Sequence, residues 1–116
     1  MTIRPRDEGV VFVTDAGPVP ALFENVSATR LATVISEGAA EVRTVEHLMA
    51  AFSAAGVFAA EVTVEGPELP IMDGSARPFL DAITRVLAPG AGPQPLKVKR
   101  AVVASEGAAF AALLPH

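Results

Sequence analysis

A chain of 116 residues accommodates one small domain and excludes two ordinary ones. Hydrophobic residues make up 51% and the mean hydropathy is +0.44, more apolar material than so small a domain buries alone, so a further layer packed against it is expected. The net charge of −4, with neither Tyr nor Trp and no basic cluster, excludes a general nucleic-acid binder; the absence of Cys excludes disulfides and thiolate metal sites and fits a cytoplasmic protein.

Polar or charged residues interrupt every apolar stretch well short of the ~18 residues a membrane helix needs, so no transmembrane segment is expected. The amino terminus, Met1 to Glu8, has charges but no apolar run behind them and is no secretory signal.

Thr2-Ile3-Arg4 reads as a short strand, followed by a turn at Asp7-Glu8-Gly9 and a β-branched strand at Val10-Val11-Phe12-Val13. Asp15-Ala16-Gly17-Pro18 ends that strand, and Val19 to Val26 is a weaker, Pro-interrupted extended piece. Arg30 to Ile35 alternates as a strand and closes at Glu37-Gly38. A first helix begins with Thr44 as N-cap, carries Val45, Leu48, Met49 and Phe52 at helical spacing, and stops at Gly56. Ala60 to Glu65 alternates as a half-buried strand, ended by Gly66-Pro67. Asp73-Gly74 makes a turn, and Ser75 caps a second helix bearing Phe79, Leu80, Ile83, Val86 and Leu87.

Residues 89–95 form a Pro/Gly linker, which divides the chain into a domain over 1–88 and a hairpin over 96–116. An isolated hairpin is marginal in water, so this one is expected to open a second domain that is missing here. Lys97, Lys99 and Arg100 read as exposed charges on an edge strand in preference to a phosphate patch.

The chain holds two His, and one of them, His116, is its last residue. At 100° per residue His47 falls opposite the large apolar side chains of the first helix, beside Ala50, Ala51 and Ala54. Small residues around a lone imidazole point to another layer approaching closely. Glu46 lies one step around the helix, so the two can border one cleft. An imidazole can hold zinc while a neighbouring carboxylate handles protons of the metal-bound water, whose pKa zinc lowers to roughly 7. Residue types alone also fit a packed or surface His and a Glu favoured by the helix dipole, because catalytic zinc takes three protein ligands.

Thr44-Val45-Glu46-His47-Leu48-Met49-Ala50-Ala51, and then Glu65-Gly66-Pro67-Glu68-Leu69-Pro70-Ile71-Met72-Asp73-Gly74-Ser75-Ala76-Arg77-Pro78-Phe79, resemble the signature of a zinc-dependent family. That family is the UDP-3-O-acyl-N-acetylglucosamine deacetylases of lipid A synthesis. Weaker similarity reaches back through Thr29-Arg30-Leu31-Ala32-Thr33 to Thr2-Ile3-Arg4-Pro5 and forward to the hairpin.

The resemblance implies hydrolysis of the acetamide of an acylated UDP-N-acetylglucosamine, with Glu46 as general base and His47 as one of three zinc ligands. The family's other ligands lie in a His-Lys-x-x-x-Asp stretch of a second domain, and no such stretch occurs in this sequence. The family's opening hairpin with its own His has no counterpart, nor has the second-domain His associated with acid catalysis. Ala32 stands where members often carry Cys near the zinc floor. Asp73 reads either as an acceptor that orients active-site groups or as a turn aspartate before a Gly and a Ser cap.

The expected fold is α+β: a two-layer α/β sandwich, its mostly antiparallel sheet covered by two helices, one half of a two-domain arrangement. The chain alone is expected to be inactive, with a fragment, one subunit of a split enzyme and a non-catalytic remnant as the readings of its incompleteness.

Overall fold

The structure, a computed structural model, describes residues 1–86 and 97–115. The elements follow in order as β1 (Thr2–Pro5), β2 (Val10–Thr14), β3 (Gly17–Pro20), a 3-10 turn (Phe23–Asn25), β4 (Val26–Ala28), β5 (Val34–Glu37) and β6 (Ala40–Arg43). Helix α1 (Glu46–Ala55), β7 (Ala60–Thr63), helix α2 (Arg77–Thr84), β8 (Val102–Glu106) and β9 (Ala109–Leu113) complete them.

The strands form a four-stranded sheet in the order β1-β7-β2-β3, a three-stranded sheet β4-β5-β6, and the hairpin β8-β9. Every pairing is antiparallel except β2 with β7. The chain is thus the α+β sandwich its pattern implies, with the sheet divided where one continuous layer was expected. Prolines contribute to the division: Pro18 and Pro20 put ladder positions without N–H donors into β3, which lies at an edge of its sheet.

Register puts the large side chains on one face. Phe12 stands opposite both Val19 and Val62, and Val62 is in turn opposite Ile3, so these four lie in one row across the sheet. Phe12, Val19 and Val62 are wholly buried. Ile35 and Val42, paired across the second sheet, join the same core with Leu48, Ala51 and Phe52 of α1 and Phe79 and Ile83 of α2. In α1, Leu48, Ala51 and Phe52 are spaced three and four apart, the spacing that gathers side chains on one helix face.

Gly56 ends α1 in the left-handed region at φ 70°, and the Val57 N–H donates to the Phe52 carbonyl at 2.8 Å. Helix α2 starts with Pro78 in its first turn and carries an Arg77–Asp81 pair at 2.7 Å, one turn apart.

Several boundaries differ from the sequence reading. The strand expected over Arg30–Ile35 begins at Val34, because Leu31 is left-handed at φ 67° and fully exposed. Strand β6 was not foreseen. The stretch from Val19 to Val26 is broken by the 3-10 turn. The second helix stops at Thr84 and leaves Val86 exposed. Lys97, Lys99 and Arg100 precede β8 and lie on no strand. The linker over 89–95 and His116 fall outside the described residues. The hairpin does form, with Val102, Val103, Phe110 and Leu113 all exposed. Among the described residues no helix is long and apolar enough to cross a membrane.

Candidate functional site

Helix α1 presents Glu46 and His47 in its first turn. Burial of Leu48, Ala51 and Phe52 fixes the helix against the core, which turns His47 outward with Ala50 and Ala54. His47 is half-buried; Ala50 and Ala54 are exposed. Ala51, grouped with them from the sequence, is wholly buried and belongs to the core side. It lies about 40° from His47 in helical projection, and at that angle a methyl group already reaches the core.

Glu46 is held asymmetrically. Its Oε1 accepts a hydrogen bond from the Thr33 N–H at 2.6 Å, while Oε2 is shut off from solvent and has no partner. A carboxylate has acceptor capacity on both oxygens, and a buried acceptor left empty costs about 1–3 kcal/mol. Such an oxygen in a native fold calls for an explanation. Glu46 also borders a cavity of about 280 Å³ whose other walls include Leu22, Phe23, Val26, Val45 and Met49. Leu22, Phe23 and Val26 are exposed at its rim.

Thr44 does not cap α1. It adopts φ 60°, is 6% exposed, and its Oγ1 donates to Glu68 Oε1 at 2.6 Å. The capping position falls to Val45, which offers no side-chain acceptor. The Thr44 N–H donates to the Thr33 carbonyl at 3.0 Å. The segment after Gly66 runs beside β6 in parallel, with Arg43 N–H on the Pro67 carbonyl at 2.9 Å and Leu69 N–H on the Arg43 carbonyl at 3.1 Å.

Asp73 is exposed and heads a tight turn. Its Oδ1 accepts from the Ser75 N–H at 2.9 Å and from the Ser75 hydroxyl at 2.8 Å. The Ser75 Oγ in turn accepts the Arg77 N–H at 3.1 Å, while the N-cap position of α2 falls to Ala76 and not to Ser75 as read from the sequence. The two Ser75 hydrogen bonds hold the Asp73 carboxyl below its ordinary value of 3.8, with a smaller electrostatic contribution from His47.

Structure thus adds three residues to Glu46, His47 and Asp73: Thr33, Thr44 and Glu68. Thr33 acts through its backbone, so no side-chain signal marks it. Thr44 and Glu68 stand 24 positions apart, and nothing local in the sequence couples them. Among the described residues no three His, Asp or Glu gather as a metal cluster, so His47 is at most one corner of a zinc site within this chain.

Comparison with known proteins identifies the family. The family model described as UDP-3-O-acyl N-acetylglycosamine deacetylase matches residues 1–116. A UDP-3-O-acyl-N-acetylglucosamine deacetylase of Citrifermentans bemidjiense is 42% identical over 99% of this chain and 40% of that relative. One of Thermosynechococcus vestitus is 43% identical over 84% of the chain and 35% of its own length. One of Chromohalobacter salexigens is 40% identical over 100% of the chain and 41% of its own. The chain spans about 40% of the length of these curated relatives. It belongs to the UDP-3-O-acyl N-acetylglycosamine deacetylase family.

Proposed function

We propose that this chain supplies the general base and one zinc ligand of a deacetylase that hydrolyses the N-acetyl group of UDP-3-O-acyl-N-acetylglucosamine in the cytoplasm. The observation that carries the reading is the Glu46 carboxylate, with one oxygen fixed by the Thr33 N–H and the other buried and empty, next to a half-buried imidazole. The relatives' names supply the substrate.

His47 fits zinc as a donor: imidazole nitrogen is a usual ligand, and the residue lies on the outer side of α1 where groups from another layer can converge. The remaining ligands would come from a second domain, whose opening would be the β8-β9 hairpin. Zinc held there would polarise the amide carbonyl and make hydroxide available near neutral pH.

The Glu46 carboxylate would take the proton from the attacking water once the second domain and substrate complete the cleft. The oxygen bonds to the acetyl carbon, the C–N bond breaks, and the proton returns from Glu46 to the departing amine, leaving acetate and a free amino sugar. The pocket beside Glu46 is walled mainly by apolar side chains, among them Leu22, Phe23, Val26, Val45 and Met49.

The test mixes the purified chain with a separately expressed second domain of one of its relatives and measures bound zinc and acetate release. The expected result is one zinc and turnover in the mixture, and neither in the chain alone. Glu46→Gln should keep the zinc and lose about 10²–10⁴-fold in turnover, and His47→Ala should lose the zinc. Turnover by the isolated chain, or a mixture whose activity survives Glu46→Gln, would refute the reading.

A further inference from the structure

We infer that Thr44 and Glu68 are positioning residues for the Glu46 carboxylate, an inference that rests on the reading of Glu46 as the proton carrier. Thr44 is β-branched and yet left-handed, a backbone state such residues rarely adopt, and it stands two positions before Glu46. Its hydroxyl, buried with the rest of the side chain, is bound by the Glu68 carboxylate at 2.6 Å.

Two backbone hydrogen bonds at Arg43 already fasten the 67–69 segment to β6, so docking that segment does not require the hydroxyl. What the hydroxyl adds is a restraint on Thr44 itself. Thr44 sets the angle at which the chain leaves β6 and enters α1, and so the direction in which the first turn projects Glu46.

Thr33 completes the linkage. Its carbonyl accepts the Thr44 N–H at 3.0 Å, and its N–H donates to Glu46 Oε1 at 2.6 Å. The left-handed residue and the catalytic carboxylate are therefore gauged against one and the same residue. If Thr44 relaxes, the Thr33–Glu46 bond cannot keep its geometry, and Oε2 leaves its place.

The test compares Glu68→Ala with Glu68→Gln. Glu68 is exposed, so neither change disturbs the core, and the Gln carbonyl still accepts the Thr44 hydroxyl. In the zinc-loaded complex of chain and second domain, Glu68→Ala should lower kcat about tenfold while KM and zinc content stay unchanged. In the 116-residue chain the same change should speed hydrogen exchange at the Thr33 amide about tenfold, and Glu68→Gln should restore both.

Thr44→Val, which deletes the donor instead of the acceptor, should repeat the Glu68→Ala pattern. Unaltered Thr33 exchange in Glu68→Ala, or Glu68→Gln as defective as Glu68→Ala, overturns the inference. Should Glu46→Gln leave turnover intact, the deacetylase reading fails, and the Thr33 amide still decides whether Thr44 and Glu68 place the carboxylate.

Discussion

Leu48 and Leu31 are the same side chain in opposite surroundings, and replacing each by Ala separates what holds the fold from what faces outward. Leu48 is 0% exposed and stands two residues after Glu46, anchoring α1 among Phe12, Phe52 and Val62. Truncating a Leu in such a site removes three carbons of buried surface and leaves a partly collapsed cavity, at about 2–5 kcal/mol. For a domain of this size each kcal/mol lowers the melting temperature by about 4–8 °C, so Leu48→Ala should melt at least about 10 °C below the parent. Leu31 is 100% exposed, and Leu31→Ala should change stability by no more than about 0.5 kcal/mol.

Urea titration followed by circular dichroism measures both, with an unchanged slope required for the comparison to hold. A Leu48→Ala cost below about 1 kcal/mol would mean that α1 does not pack as described, and the placement of Glu46 and His47 would fall with it. A Leu31→Ala cost equal to that of Leu48→Ala would place Leu31 inside a packed layer of the chain itself.

Other consequences follow from single positions. Gly56→Ala puts a Cβ on a residue at φ 70° and should cost about 1 kcal/mol or more in a thermal melt; a neutral result would deny the left-handed helix end. His47→Ala in the isolated chain should leave stability within about 0.5 kcal/mol, since the imidazole is half-exposed and makes no hydrogen bond among the described residues. A large loss would make His47 a packing residue. Asp73 has a folded-state pKa depressed below 3.8, so the stability it lends is complete above that value and disappears as pH falls through the lower folded pKa. The difference in melting temperature between the parent and Asp73→Ala should accordingly be present at neutral pH and vanish in strong acid. A difference that grows on acidification would reverse the sign of the Ser75 interaction.

The parts of this fold legible in the sequence are those where local chemistry and tertiary burial agree. Helix α1 was readable because Leu48 and Phe52 recur at helical spacing and Gly56, with no Cβ, takes the left-handed φ of a helix end without strain. The β2 and β7 strands were readable because Phe12 and Val62 alternate with less buried neighbours. Strand β6 was not, because Ala40-Glu41-Val42-Arg43 carries one large apolar residue and declares itself only through Val42 pairing with Ile35. Glu46 and His47 stood out through the signature they share with a family, whereas their surroundings did not. Thr44 and Glu68 lie within the signature stretches, yet nothing in the sequence says that the Thr44 hydroxyl meets the Glu68 carboxylate or that the Thr33 amide meets Glu46, because those meetings depend on three chain segments converging.

That convergence has an energetic signature which separates a working site from ordinary packing. Ser and Thr ahead of a helix normally cap it, and Thr44, ideally placed by type to do so, is turned instead into a left-handed conformation that costs of order 1–3 kcal/mol. The helix start is left without its side-chain cap, which forgoes about 1 kcal/mol more. Two residues on, a carboxylate oxygen is buried without a partner. A chain selected for stability alone would relieve the last two with a Ser cap at position 45 and an apolar residue at position 46, and the first with a Gly at position 44. Three departures from local preference thus fall within three consecutive residues, at the head of a helix otherwise formed by good helix formers, and they accord with the role proposed for Glu46.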